Sequence, residues 1–368
     1  MDPKIFLENS LKQLTEKNAS DLHIKSGVVP RLRVSGTIQK METDAIGPKF
    51  VSSLADSLMN DGQKELFKKN RSVDLAFASE TYGRFRANIF WQRGTTSIVI
   101  RVIKNLIPSF SELYLPAVFE KISLQERGLI LISGATSTGK STTVASMVNY
   151  INQERDGHIL TIEDPIEYMH EDKRCIINQR EIGQDAVSFS DALKYVVRQD
   201  PDVIVVGEMR DPESFKSAIV ASETGHLVIS TIHAKNVQQV FDRILGFFPS
   251  DQREQVLVQL SFNLKAVAAQ RLLRKKDKKG LVPVCEVLMN NGTIAQLIRD
   301  NKMEKLPQAI ANCSEEGMQT FHQALCKLYN EGFVSKEEAL MASDNPQALE
   351  MNMKGIYLDE GSGGILDR

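Results

Sequence analysis

Gly134, Gly139, Lys140 and Ser141 fall at the spacing of G-x-x-x-x-G-K-[ST], and with Thr136, Ser137, Thr138 and Thr142 they form one phosphate-binding loop. Each fixed position has a mechanical task. The glycines let the backbone curl so that its N–H groups point inward at β- and γ-phosphate oxygens. Lys140 adds a point charge to those oxygens, and the Ser141 hydroxyl suits a Mg²⁺ ion bridging them. The flanks agree. Residues 128–133 predict a short buried strand, and residues 142–152, with Val144, Met147, Val148 and Ile151 at helical spacing, predict a helix whose N-terminus faces the phosphates.

A cradle alone specifies a nucleotide; carboxylates specify its hydrolysis. Cleaving ATP takes one anionic group to hold the metal through water and another to orient the attacking water. Both belong at the C-terminal ends of strands beside the cradle strand. Residues 159–162 lead into Glu163-Asp164-Pro165-Ile166-Glu167, and residues 203–206 lead into Gly207-Glu208. His226 precedes an apolar strand and His233 ends it. An imidazole there serves to sense a γ-phosphate or order water, and a satisfied buried histidine is the competing reading.

The elements that must carry these groups change character along the chain. Residues 22–24, 32–34, 73–77 and 85–89 alternate as antiparallel strands do, and residues 50–69 read as one helix with Leu54, Leu58 and Leu66 inward. Leu106-Ile107-Pro108-Ser109 and Leu115-Pro116 break that pattern and predict a linker. The near-continuous apolar runs at 129–132, 159–162, 203–206 and 227–230 then predict parallel strands buried on both faces, separated by helices in a doubly wound α/β core. Beyond about residue 290 the chain reads as helical, clearest at 294–302 and 318–331, and Gly361-Ser362-Gly363-Gly364 reads as a frayed tail. The basic run 271–280 reads as a solvated hairpin turn, with docking of an acidic partner as the alternative.

The 368 residues suffice for two or three domains, and 45 basic against 47 acidic side chains give a net charge of −2. That balance offers no push toward nucleic acid or anionic lipid. The first residues lack an apolar leader segment, and the longest apolar runs are strand-length, so no membrane insertion is expected. Cys175, Cys285, Cys313 and Cys326 form no C-x-x-C pair, which suits a reducing cytoplasm.

The order of motifs resembles the secretion ATPase superfamily, and within it the type IV pilus retraction ATPases of the PilT/PilU branch, over nearly the whole chain. Residues 19–23 (ASDLH) resemble its N-terminal opening, and 83–88 (GRFRAN) its arginine-bearing strand. Residues 161–168 (TIEDPIEY) are similar to its Asp box, 206–211 (VGEMRD) to its Walker B and 225–233 to its His box. Residues 317–321 resemble a late segment of the retraction branch. The stretches 167–171, 175–181 and 233–236, with Asp344-Asn345, look more like PilU than PilT. The chain departs from the pattern at Ser137, where the family has Gly, at Ala135, and at residues 294–300, similar to a segment linked to retraction.

The resemblance implies a small α+β (PAS-like) N-terminal domain over 1–106, a linker over 107–116, a RecA-like P-loop ATPase core over 117–290 and a helical C-terminal region over 291–368. It implies Glu163 as the catalytic carboxylate, Glu208 as the Mg²⁺-associated one, and His226 and His233 as the His-box members. Arg86 and Arg101 would reach bound phosphate like arginine fingers, and Arg198 and Arg210 would sit at a subunit boundary. It also implies ATP and Mg²⁺ as ligands and a cytoplasmic homo-hexamer at the inner-membrane base of the pilus, contacting a platform protein and a PilT-like partner ATPase. Three alternatives stay open: an accessory ring subunit with weak hydrolysis of its own, a pilus extension or type II secretion ATPase, and a DNA-translocating motor. The near-neutral charge disfavours the last.

Overall fold

The computed structural model describes residues 2–34, 36–103 and 106–354. The chain divides into two compact units, Met1–Leu106 and Ile107–Arg368. The glycine-rich stretch at 361–364 lies outside the described residues.

The first unit comprises α1 (Pro3–Glu16), β1 (Asp21–Lys25), β2 (Arg31–Val34), β3 (Thr37–Lys40), α2 (Pro48–Leu58), α3 (Asp61–Asn70), β4 (Ser72–Ser79), β5 (Gly83–Gln92) and β6 (Thr95–Val102). Its antiparallel sheet runs β3-β2-β1-β6-β5-β4. Phe85, Ala87 and Ile89 of β5 point into the core and the residues between them point away, the period-2 pattern of a sheet covered on one side. The single helix expected over 50–69 is two helices. Asn60 accepts from the Gln63 N–H while the Gln63 side chain accepts from the Asn60 N–H, a capping box that starts a second helix. The new start rotates the register, so Phe67 is buried and Leu66 is exposed.

The second unit comprises α4 (Phe110–Leu113), α5 (Val118–Ser123), β7 (Gly128–Ser133), α6 (Lys140–Glu154), β8 (Gly157–Glu163), β9 (Cys175–Glu181), α7 (Phe189–Val196), β10 (Val203–Val206), α8 (Pro212–Glu223), β11 (Leu227–Ile232), α9 (Val237–Leu245), α10 (Ser250–Asn263), β12 (Leu264–Arg274), β13 (Leu281–Met289), α11 (Gly292–Arg299), α12 (Leu306–Asn312), α13 (Phe321–Asn330), α14 (Lys336–Ala342) and α15 (Pro346–Met353). Its sheet runs β13-β12-β7-β11-β10-β8-β9, parallel except for β13. Alternate residues of the central strands feed two apolar layers. Leu129, Leu131, Ile204 and Val228 enter one, and Ile130, Ile132, Val203 and Ile229 the other. Helices on both faces therefore cover continuously apolar strands.

The segment expected as a linker is part of this unit. Phe110 packs on Phe119 and Tyr150, and the Ser146 hydroxyl donates to the Pro108 carbonyl at 2.7 Å. The C-terminal helices are also continuous with it, because Ile294, Ile298, Leu306, Phe321 and Leu349 join the apolar layer that contains Val206 and Ile232. Of the basic run 271–280, residues 271–274 are the end of β12 and residues 275–280 form the turn to β13.

Candidate nucleotide-binding and hydrolysis site

The loop after β7 is shaped for close approach. Gly134 has φ +154°, and a Cβ there would stand 2.6 Å from the Gln270 carbonyl. Gly139 has φ +87°, and a Cβ there would meet Gln270 Nε2 at 2.9 Å. Only glycine fits both positions. Ser137 takes φ +65°, a left-handed conformation that costs an L-residue about 1–2 kcal/mol. The Lys140 ammonium is buried and donates to the Gly134 and Ala135 carbonyls, both at 2.9 Å. That burial lowers its pKa, with the charges of Glu208 and Glu167 pulling it back.

Gln270 on β12 underlies this loop. Its Nε2 donates to the Thr138 carbonyl at 2.8 Å and its Oε1 accepts from the Thr143 hydroxyl at 2.8 Å. The sequence reading missed it. The available signal was one uncharged polar residue inside the apolar run of β12, which a buried strand tolerates only where a partner waits.

Sheet order corrects one expectation about the carboxylates. The strands flanking β7 are β11 and β12, so β10 stands two places away and β8 three, about 10 and 14 Å at ordinary strand spacing. His233, at the end of neighbouring β11, bridges the gap: its Nε2 lies 3.3 Å from Glu208 Oε1. Arg210 reaches Glu208 Oε2 at 2.9 Å and Asp164 at 3.6 Å. Glu208 is thus gripped between an imidazole and a guanidinium at the sheet end that carries the cradle.

Glu163 ends β8. Its Oε1 accepts from the Thr161 hydroxyl at 2.7 Å and from Gln179 Nε2 at 3.2 Å, and the Glu167 N–H approaches Oε2 at 3.5 Å. Burial pushes this carboxyl above the usual carboxylate range; the three hydrogen bonds oppose the rise and the Glu167 charge adds to it. The loop that follows returns to the cradle, where Tyr168 Oη and Thr142 Oγ1 pair at 2.8 Å.

Other expected residues lie elsewhere. His226 precedes β11 at the opposite end of the sheet, where its Nδ1 meets the Ala221 carbonyl at 3.0 Å. The six residues of β11 separate it from His233, about 20 Å at the rise of a strand. A histidine before a parallel strand is at the wrong pole for phosphate chemistry on the same chain. Arg198 is exposed just beyond α7. Arg86 and Arg101 belong to the first unit, where the cross-strand register aligns Arg33, Asp21, Arg101 and Arg86 over four neighbouring strands. Arg101 Nε donates to Asp21 at 2.7 Å, and Arg86 lies 3.4 Å from Asp74. Burial alone would raise the Asp21 carboxyl, but hydrogen bonds from Arg101 and Ser20 and the Arg101 charge hold it below its ordinary value.

The residues fit a magnesium nucleotide. Gly134 and Gly139 let the loop curl tightly onto Gln270, as a phosphate cradle requires, and Ser141 and Glu208 offer hard oxygen donors, one exposed and one partly so.

Residues 3–341 match the family described as Type II/IV secretion system protein. The type IV pilus ATPase PilU of Pseudomonas aeruginosa is 42% identical over 94% of this chain and 91% of its own. The type IV pilus retractation ATPase PilT of the same organism is 39% identical over 94% of this chain and 99% of its own. The crystal structure of the pilus retraction motor PilT with bound ADP aligns with a TM-score of 0.87 at 42% identity, covering 92% of this chain and 97% of that one.

Proposed function

Because this chain belongs to the type II/IV secretion system protein family, in its PilT/PilU branch, we propose that it is an ATPase that drives type IV pilus retraction and twitching motility. The observation that supports this best is a glycine-only cradle, a buried lysine and two carboxylates at one end of a single sheet whose central strands are parallel. In this reading the loop amides and Lys140 bind and orient the triphosphate. Ser141, and Glu208 through water, would hold Mg²⁺, which would supply charge neutralisation to the phosphates. Glu163 polarises the attacking water. Its pKa, raised by burial, makes it a better proton acceptor than an exposed carboxylate. His233 and Arg210 keep Glu208 pointed at the cradle.

The protein works in this proposal as a cytoplasmic homo-hexamer at the inner-membrane base of the pilus, against a platform protein and beside a PilT-like ATPase. Arg86, Arg101, Arg198 and Arg210 are the candidates for guanidinium groups exchanged between copies. Lys140→Ala is expected to abolish ATP turnover while circular dichroism and thermal unfolding stay native; undiminished turnover refutes the proposal. A second reading, an accessory ring with weak turnover of its own, draws support from the strained φ of Ser137. Steady-state ATPase of the protein alone and mixed with the partner separates the two. Deletion giving excess pili and lost motility supports retraction, whereas loss of pili supports extension.

A further inference from the structure

Gln179 sits in the middle of β9, the sheet-edge strand beside β8, and its amide is fully committed. Cross-strand register sets Thr161 beside Gln179 and Glu163 beside Glu181, so all four side chains project from one face of the sheet. Gln179 Nε2 donates to Glu163 Oε1 at 3.2 Å and to the Tyr168 carbonyl at 2.8 Å, and its Oε1 accepts from the His170 N–H at 2.9 Å. The last contact fixes the orientation of the amide, since only the oxygen can face a backbone N–H. One side chain therefore ties the carboxylate to the backbone of the loop whose Tyr168 hydroxyl touches Thr142, one residue past Ser141.

We propose that Gln179 is the positioning residue for hydrolysis, fixing the Glu163 oxygens relative to the phosphate-binding helix through Tyr168. This rests on the reading of Glu163 as the group that activates water. Thr161 alone would hold Oε1 from one side and leave the carboxyl free to swing about that bond; the amide holds the same oxygen from the neighbouring strand, while the Glu167 N–H faces Oε2. The other charged groups nearby are otherwise engaged. Asp164 faces Arg210 at 3.6 Å. Glu181 accepts from the Ile166 N–H at 3.2 Å and from the Gln184 amide. Glu167 contributes its N–H to Glu163 and a charge that raises the Glu163 pKa. Removing the Gln179 donor withdraws support from the ionised form, so the carboxyl must titrate at higher pH.

The test uses the full chain with Gln179→Leu, Gln179→Glu and, as control, Glu163→Gln. Three readouts are taken: kcat against pH, affinity for a fluorescent ADP, and the infrared band of the protonated Glu163 carboxyl in nucleotide-free protein, assigned by its loss in the control. Gln179→Leu is expected to lower kcat about 10- to 100-fold and to move the acid limb of the profile and the infrared titration up by about one pH unit. ADP affinity should stay within about twofold of the starting protein. If leucine impairs folding, the isosteric Gln179→Glu is read by kcat against ADP affinity, because its own carboxylate raises the Glu163 titration by repulsion in any case. An unmoved infrared titration overturns the proposal, as does a kcat loss matched by lost ADP affinity. Full turnover by Glu163→Gln refutes instead the role of Glu163 itself. A control that is dead beside fully active Gln179 variants overturns the proposal alone.

Discussion

Replacing Gln270 with leucine keeps the volume beneath the phosphate-binding loop and deletes two hydrogen bonds, from the Thr143 hydroxyl and to the Thr138 carbonyl, each 2.8 Å long. Gln270 is 3% exposed and Thr143 is 1% exposed, so water does not replace the partner that the Thr143 hydroxyl loses, whereas Thr138 is only partly buried. A net loss of about 1 kcal/mol per bond, with a further 1–3 kcal/mol for a buried partner left unpaired, gives about 3–5 kcal/mol. Leucine burial returns about 1 kcal/mol. The expected net loss is about 2–4 kcal/mol, read by urea unfolding of the nucleotide-free protein. Thr143→Val removes one of the same two bonds and should cost about 1–2 kcal/mol. The double variant should cost less than the sum by about 1 kcal/mol, because one bond is counted in both single changes. ADP affinity should fall about tenfold in Gln270→Leu, as the loop loses its underside and must be ordered by the ligand. An unchanged unfolding midpoint, or strict additivity with Thr143→Val, refutes the buttress.

The His170 pKa is lowered to about 4, chiefly by burial, with the Lys173 charge adding to it. Below pH 6.5 the unfolded chain therefore takes up a proton that the folded chain refuses until about pH 4. Stability falls across that window, by about 2 kcal/mol at pH 5, and His170→Phe should flatten the thermal midpoint between pH 7 and 5; an equally steep loss in the variant contradicts this. Ser137→Gly relieves about 1 kcal/mol of backbone strain in the loop but frees the unfolded chain by a similar amount. The unfolding midpoint should hardly move while ADP release in stopped flow quickens severalfold. A stability loss above about 1 kcal/mol runs against the observed φ of +65°.

The parallel core was legible because β7, β10 and β11 are buried on both faces and read as unbroken apolar runs. Strand β9 escaped notice for the opposite reason. As a sheet edge it alternates burial and ends in Asn178, Gln179, Arg180 and Glu181, a composition that reads as loop. The division between α2 and α3 did have a local signal in Asn60 and Gln63, at capping-box spacing, overridden by the apolar pattern around it. Gln270 and Gln179 resist sequence reading more deeply. Each acts by filling both ends of an amide with partners outside its own strand, 127 and 132 residues away for Gln270 and 9 to 16 for Gln179. His226 shows the same limit. Its neighbours are those expected of a site, and only strand direction and sheet order reveal which pole it occupies.

Since Leu349 and Phe321 finish the same oily layer that Val206 and Ile232 begin, no soft joint intervenes between the strand tips and the carboxy-terminal helices. A displacement of a few tenths of an ångström beside Glu208 has nowhere to dissipate in such close packing. Through the shared layer, α13 and α15 are packed onto the same core as the strand tips beside Glu208.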